Sequence, residues 1–309
     1  MLVCDAHCDL PLKVLDDGQK LCSNTCHWSL DRLPENSFLQ VFAHWVDIQK
    51  DERPFLRAKQ MITRFLRELE ENQDRIGLVL KGEDIDRNLA QGKACAMLSI
   101  EGGEALEGNL EHLSYFFDLG IRMMTLTWNH ENELGEGVGE ETRNKGLTDF
   151  GRMVVGRMEK LGMIVDVSHL TERGFWDVAE TAKKPFVASH SNSYAICPHK
   201  RNLTDEQFIF LKEHGGMCGI NLCPLFLNLT DRACVTDVVR HIEHFMALGG
   251  ENSVMLGCDL DGIDDVPQDI TDLSRLNLIW EELGKLNYSE DVIANIAGRN
   301  WYNLVKFAF

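Results

Sequence analysis

Leu2-Val3-Cys4-Asp5-Ala6-His7-Cys8-Asp9 is a short apolar run that ends in His-x-Asp, and four further runs along the chain close on the same kinds of residue. Ala94 to Ile100 ends at Glu101, Met163 to Ser168 precedes His169, Phe186 to Ser189 precedes His190, and Val254 to Cys258 ends at Asp259. One imidazole at a strand end is an accident of sequence. Three imidazoles and three carboxylates at the ends of five separate buried strands are what a closed parallel barrel needs to gather metal ligands at one mouth.

Working outward, strand-like runs at 2–8, 39–46, 94–100, 122–127, 163–168, 185–189, 217–222 and 254–258 alternate with amphipathic stretches. The stretches fall near 55–75, 106–118, 149–161, 172–182, 204–214 and 236–248, and two more helices follow near 272–286 and 289–306. Asp149 and Thr204 read as N-caps, the latter with Gln207 placed for a capping box. Gly162, Gly215 and Gly249 fall where helices should stop. Eight strands with helices between them predict a TIM-like (β/α)8 barrel of the metal-dependent hydrolase type, with residues 1–309 as a single catalytic domain. An open doubly wound sheet binds at one crevice between two strands and leaves ligand residues on five strand ends unexplained. The acidic, Gly-rich stretch from His130 to Gly146 follows the fourth strand and is expected to overhang the mouth as a lid.

The 309 residues are 44% apolar, enough for a substantial core. Against 31 Lys and Arg stand 49 Asp and Glu, a net charge of −18 that argues against nucleic acid or an anionic membrane surface as partner. The N-terminus shows no basic n-region and no long apolar h-region, and no apolar run approaches the ~18 residues of a membrane span. Cys4, Cys8, Cys95, Cys197, Cys218, Cys223 and Cys258 lie in or beside strand-like segments, where Cys acts as a small hydrophobe. Reduced thiols in a cytoplasm are the simpler account of them. Cys22, Cys26 and His27 form one cluster that could hide a second small metal site, although no other Cys/His pair lies nearby to complete it. His241 and His244, three apart on an amphipathic helix, read as structural and as facing outward from the barrel.

His7 and Asp9, two apart on a strand, share a face, while Cys8 points the other way into packing. Glu101 opens Glu-Gly-Gly and ends a core strand on a carboxylate, which needs a cation or donors. Together with His169 and His190, this donor set suits zinc or a similar borderline divalent ion. Five ligands exceed one tetrahedral ion, so two Zn2+ per chain bridged by a carboxylate are expected. Asp259, in Gly257-Cys258-Asp259-Leu260-Asp261-Gly262, fits a general base that takes a proton from a metal-bridging water, and Asp261 before Gly262 reads as a turn. Arg201, in Lys200-Arg201-Asn202, reads on its own as a surface charge.

Taken together, His7-Cys8-Asp9, Ile100-Glu101-Gly102-Gly103, Asp166-Val167-Ser168-His169, Ser189-His190-Ser191-Asn192-Ser193-Tyr194, Arg201-Asn202 and Asp259-Leu260-Asp261-Gly262 resemble the membrane (renal) dipeptidase family in order and approximate spacing. The likeness runs from about residue 3 to 305. Enzymes of that family are zinc metallopeptidases of the amidohydrolase superfamily that split dipeptides, and bacterial relatives often accept a D-residue at the C-terminal position. The resemblance implies that His7, Asp9 and Glu101 hold one zinc and that Glu101, His169 and His190 hold the other. It also implies that Arg201 pairs with the substrate's free carboxylate, for which a planar bidentate fork is suited. Mammalian members carry a His after the fourth strand that helps polarise the scissile carbonyl. The matching residue here is Trp128, so either Asn129 or His130 fills in, or Trp128 only shapes the substrate pocket.

The implied function is a cytoplasmic binuclear zinc dipeptidase that uses a zinc-bridging hydroxide on free dipeptides. No nucleic acid or membrane partner is expected, and a homodimer is the alternative to a monomer. Mammalian members are secreted and membrane-anchored, and that localisation does not carry over. Two other readings stay open. One is another amidohydrolase activity, on a cyclic amide or lactone, for which Arg201 has no obvious use. The other is a catalytically inactive metal-binding protein, which has no reason to keep a base at Asp259.

Overall fold

Among the described residues of the computed structural model (1–34, 37–140, 145–230 and 232–308), nine parallel strands form one sheet. They are β1 (Val3–Cys8), β2 (Phe38–Trp45), β3 (Ile76–Leu78), β4 (Ala94–Glu101), β5 (Ile121–Thr125), β6 (Ile164–Asp166), β7 (Val187–Ala188), β8 (Met217–Ile220) and β9 (Val254–Leu256). Eight close into a ring, because β2 pairs with β4 and β9 pairs back to β1. The ninth, β3, pairs with Ala94–Ala96 at the start of β4, while β5 pairs with Leu98–Glu101. The eight ring strands are the eight expected from the apolar runs. β3 and the helix after it, Gly82–Ala90, were not expected, since three residues carry no readable period.

The helices lie between the strands: α1 (Leu10–Asp16), α2 (Pro54–Glu71), α3 (Gly82–Ala90), α4 (Leu110–Asp118), α5 (Asp149–Leu161), α6 (Glu172–Thr181), α7 (Asp205–Glu213), α8 (Pro224–Asn228) and α9 (Val235–Ala247). α10 (Asn277–Lys285), α11 (Glu290–Ala294) and α12 (Asn300–Ala308) complete the chain. The capping box at Thr204 forms as its sequence spells it, each partner accepting from the other's backbone N–H. α5 differs from expectation. Thr148, rather than Asp149, caps it by accepting from Gly151 N at 3.0 Å, and Asp149 sits in the first turn, where its charge meets the positive end of the helix. The helix expected over 289–306 is interrupted by a π turn at Asn295–Arg299, which buries Ile296 and Ala297 where the segment packs on β1 and β9.

Two apolar layers follow from strand alternation. Cys4, Leu39, Val41, Cys95, Met97, Met123, Met217 and Met255 fill the barrel, closed below by Trp301 and Val305. Phe42, Leu98, Val165, Cys218 and Leu256 face the helices. On β1, Cys4 and Ala6 belong to the inner layer, so strict alternation would turn His7 outward. A register shift between Asp5 and Cys8 reverses this, sending Cys8 into the outer layer and His7 into the mouth.

The described part of the 130–146 stretch is no free-standing flap. Residues 141–144 lie outside the described residues, and the rest is sewn into the strand ends. Val138 N donates to His169 O at 2.8 Å, Thr171 N to Glu136 O at 3.2 Å, and Gly135 and Gly137 bridge Leu147 and Leu170. Leu134, Glu136 and Val138 are buried, so backbone pairing and burial hold down what its composition suggested was a mobile flap. No described helix is long and apolar enough to cross a membrane.

Candidate active site

Each residue that ends an apolar run arrives at the same place. β1 delivers His7 and Asp9 and β4 delivers Glu101, while His169, His190 and Asp259 follow β6, β7 and β9. All six are buried. His7 Nε2 stands 3.2 Å from Asp9 Oδ2, 3.5 Å from Glu101 Oε2 and 3.9 Å from Asp259 Oδ1. On the other side of the same carboxylate, Glu101 Oε1 lies 3.1 Å from His169 Nε2 and 3.5 Å from His190 Nε2. Glu101 therefore faces imidazoles with both oxygens. Donor atoms of Glu101, His169 and His190 lie within 4.8 Å of one another, as do those of His7, Asp9 and Asp259, and of His7, Asp166 and His190.

This donor set fits metal. Both ring nitrogens of His7 and Asp9 Oδ2 are buried without a hydrogen-bond partner, a costly state that an ion taking the lone pair of one ring nitrogen and of the carboxylate would relieve. His169 Nε2 and His190 Nε2 lie 2.8 Å apart, so two ring nitrogens point at one spot. Burial drives the pKa of His169 down to about 4, helped by the Arg201 charge, and that of His190 well down, which keeps both rings neutral and able to donate. Burial also raises the Asp9 carboxyl to about 8 and Asp259 to about 6, in both cases against the pull of His7. Burial lowers the His7 pKa, but the charges of Glu101 and Asp9 outweigh it and hold the ring well above its usual value, so the cluster draws the positive charge that a divalent cation would supply.

Residues behind these donors hold them in place. Asn129 Oδ1 is 2.9 Å from His169 Nδ1, which fixes the tautomer with Nε2 free. Ser189 Oγ is 2.7 Å from His190 Nδ1 and also donates to Asp166, whose other oxygen accepts from Ser168 N and Ser189 N. Asn221 Nδ2 donates to Asp259 Oδ2 at 2.9 Å. His169 and Asp259 have φ of +68° and +60°, strained for residues with a Cβ and held by these contacts. Sequence reasoning gave no role to Asp166, Ser189 or Asn221. A signal existed for Asn221, since it ends β8 as the other donors end their strands.

The backbone of Ser189 and His190 crosses directly over Gly219 and Gly257, where a Cβ would strike Ser189 O. Gly257→Ala is therefore expected to lower unfolding stability by about 1–3 kcal/mol and to weaken metal retention, read by denaturant titration and metal content. A variant with the parent's midpoint and metal content would overturn this reading.

A cleft of about 230 Å³ leads to the donors, walled by Trp45, Trp128, Asn129, Phe226 and Ile263. The Trp128 ring lies 4.9 Å from that of Trp45 and 6.1 Å from that of His169. His130 does not line the cleft, and its Nε2 is 3.0 Å from Gln49 Nε2. Arg201 is no surface charge. It is 5% exposed, donates through Nη2 to His190 O at 3.1 Å, and lies 5.4 Å over the Phe226 ring with Nε unpartnered. It lines a second pocket of about 240 Å³ that shares His169 with the cleft.

Three outlying features resolve structurally. His241 is buried, rather than facing outward, and bridges Ser193 N to Leu227 O. His244 bonds Asp205 at 2.7 Å. Asp261 has the positive φ of a turn and also accepts from His27 N and Trp28 N, which ties the Cys22–Trp28 segment to the mouth. No metal-ligand grouping among the described residues includes Cys22, Cys26 or His27.

A profile of the family described as Membrane dipeptidase (Peptidase family M19) matches residues 1–307. The pqqA 5′-region protein of Klebsiella pneumoniae is 36% identical over 242 residues, covering 75% of this chain and 89% of that one. Dipeptidase aclJ of Aspergillus oryzae is 34% identical over 225 residues, covering 70% of this chain, which spans about half (53%) of the fungal protein's length. A metallopeptidase from Rhodobacter sphaeroides, solved with a phosphinate mimic of L-Ala-D-Ala, superposes with a TM-score of 0.92 at 27% identity, covering 100% of this chain and 99% of that one. Dipeptidase AC, a metallopeptidase of family M19, gives 0.93 at 29% identity, covering 100% and 98%. A closed (β/α)8 barrel, a buried His–carboxylate centre at its mouth and a match along nearly the whole chain lead to one conclusion: the chain belongs to the membrane dipeptidase family, peptidase family M19, and is a metal-dependent dipeptidase.

Proposed function

We propose that the enzyme hydrolyses free dipeptides, including those with a D-residue at the C-terminal position, with two zinc ions per chain. His7, Asp9 and Glu101 would hold one ion, and Glu101, His169 and His190 the other. The observation that carries this is the convergence of buried donors on both oxygens of Glu101. Bound there, the ions would supply Lewis-acid polarisation of the scissile carbonyl and of water.

The side chains do the rest. Asp259, steadied by Asn221, accepts the proton of the attacking water and returns it to the leaving amine. Arg201 pairs with the substrate's free carboxylate, and Trp128 bounds the pocket beside it. Asn129 keeps the His169 ring in the orientation that presents Nε2, rather than standing in for the carbonyl-polarising His of mammalian members. The mimic of L-Ala-D-Ala bound by the Rhodobacter sphaeroides relative supports a D-residue at the second position. All ten cysteines are free thiols, which supports a reducing, cytoplasmic setting.

Protein purified without chelator is expected to carry about two divalent ions, because five ligands with one shared carboxylate make two centres. It should hydrolyse members of a panel of L,L and L,D dipeptides. Glu101→Gln should lower both occupancies in elemental analysis, whereas His169→Ala should spare the ion held by His7 and Asp9. A content near zero that zinc, cobalt and manganese all fail to restore would sink the proposal.

A further inference from the structure

At the same end of the barrel, a separate pocket of about 750 Å³ is formed by the loops after β2 and β5 and the turn after β4. Among the described residues, its walls carry Asp51, Glu52, Glu104, Glu107, Glu131 and Glu133 against one cation, Arg53. Some of this charge is committed. Phe55 N donates to Glu107 at 3.1 Å, Lys145 Nζ stands 2.8 Å from Glu131, and Arg57 Nε lies 3.7 Å from Asp51.

Glu104 is different. It is 4% exposed, and its Oε2 is buried with no donor. Burial raises its carboxyl to about 7 against hydrogen bonds from its own backbone and the Asn132 side chain, and the charges of Glu101 and Glu133 add to the shift. A desolvated carboxylate among like charges gains from any cation that reaches it.

The spacing tells which kind of cation. None of the close three-donor groupings among the described residues includes a carboxylate of this pocket, so the tight shell of a divalent metal is not prepared here. An alkylammonium or guanidinium group bonds separate acceptors across a wider span. Two of the segments that build the pocket follow, in the chain, Glu101 and Trp128, which both line the cleft. Glu104 is three residues beyond Glu101 and Glu131 three beyond Trp128, whereas Arg201 lines the pocket that shares His169. A substrate held by its carboxylate at Arg201 would thus send its amino-terminal half toward the acidic walls.

We propose that this pocket is a subsite for an organic cation, the ammonium or guanidinium group of a basic side chain on the dipeptide's first residue or the same group on a free amine. The first source rests on the dipeptidase reading above.

The test compares L-Lys-D-Ala with its neutral isostere L-norleucyl-D-Ala on the metal-loaded enzyme, and titrates the same enzyme with agmatine by calorimetry. The lysyl substrate is expected to have about tenfold higher kcat/KM, the scale of one charge-assisted hydrogen bond. That ratio should collapse in Glu104→Gln and shrink in Glu133→Gln, which covers the case in which the buried substitution does not fold. A substrate preference lost in the variants supports the side-chain source. A flat ratio with agmatine binding that the variants lose supports the free amine. No preference and no agmatine binding, or preference and binding that both variants keep, would overturn the proposal. If neither dipeptide is cleaved, the dipeptidase reading fails, while the agmatine titration still decides the pocket.

Discussion

Asp259→Asn is expected to keep its metal and to turn over dipeptide about 10² to 10⁴ times more slowly, the usual contribution of a positioned general acid–base group. The amide fills the same space and can keep the contact with Asn221, which donates to the carboxylate at 2.9 Å. What it loses is the ability to take a proton. Asp259 Oδ1 stands 3.9 Å from His7 Nε2, farther than Asp9 at 3.2 Å or Glu101 at 3.5 Å, as suits a group set back from the donors. Elemental analysis beside steady-state kinetics separates the two roles open to it. Loss of metal in step with activity would make Asp259 a ligand, and the proton shuttle would have to be assigned elsewhere.

Arg201→Ala is expected to cut kcat/KM for free dipeptides through KM. A buried charge-assisted pair left half-empty costs roughly 2–5 kcal/mol, or about 30- to 5,000-fold. The guanidinium is buried, with one nitrogen on His190 O and Nε still unpartnered, so it has donors to spare for an incoming carboxylate. Because it also holds the His190 carbonyl, a control is needed that a merely structural loss would fail. Dipeptide amides should be poor substrates of the parent and should suffer little further in the variant, since they offer no carboxylate. Equal losses on free and amidated substrates would assign Arg201 to support of His190 and bring the cyclic-amide reading forward. Arg201→Lys should fall between the two, as it keeps the charge without the planar fork.

Much of the architecture can be read from the chain because parallel strands buried on both faces appear as apolar runs, and the helices between them carry their own caps and period. His7, Asp9, Glu101, His169, His190 and Asp259 stand out for a related reason: a polar side chain that closes a core strand needs a partner, and a parallel barrel brings all such ends to one mouth. Other features depend on neighbours far away in sequence. The register shift that turns His7 inward is set by pairing between β1 and β2. Asn221 stands at a strand end like the donors, but its meeting with Asp259 across 38 positions, like that of Asn129 with His169 across 40, is written in no local pattern. Arg201 has the sequence of a surface residue, and becomes buried only when the segment after β7 folds it over Phe226 and against His190. The 130–146 stretch has the composition of a flap, yet backbone bonds to the segment after β6 pin its described part down. The chain thus names the donors and the barrel by local hydrophobic pattern, whereas long-range backbone pairing and packing decide how the donors are aimed, supported and enclosed.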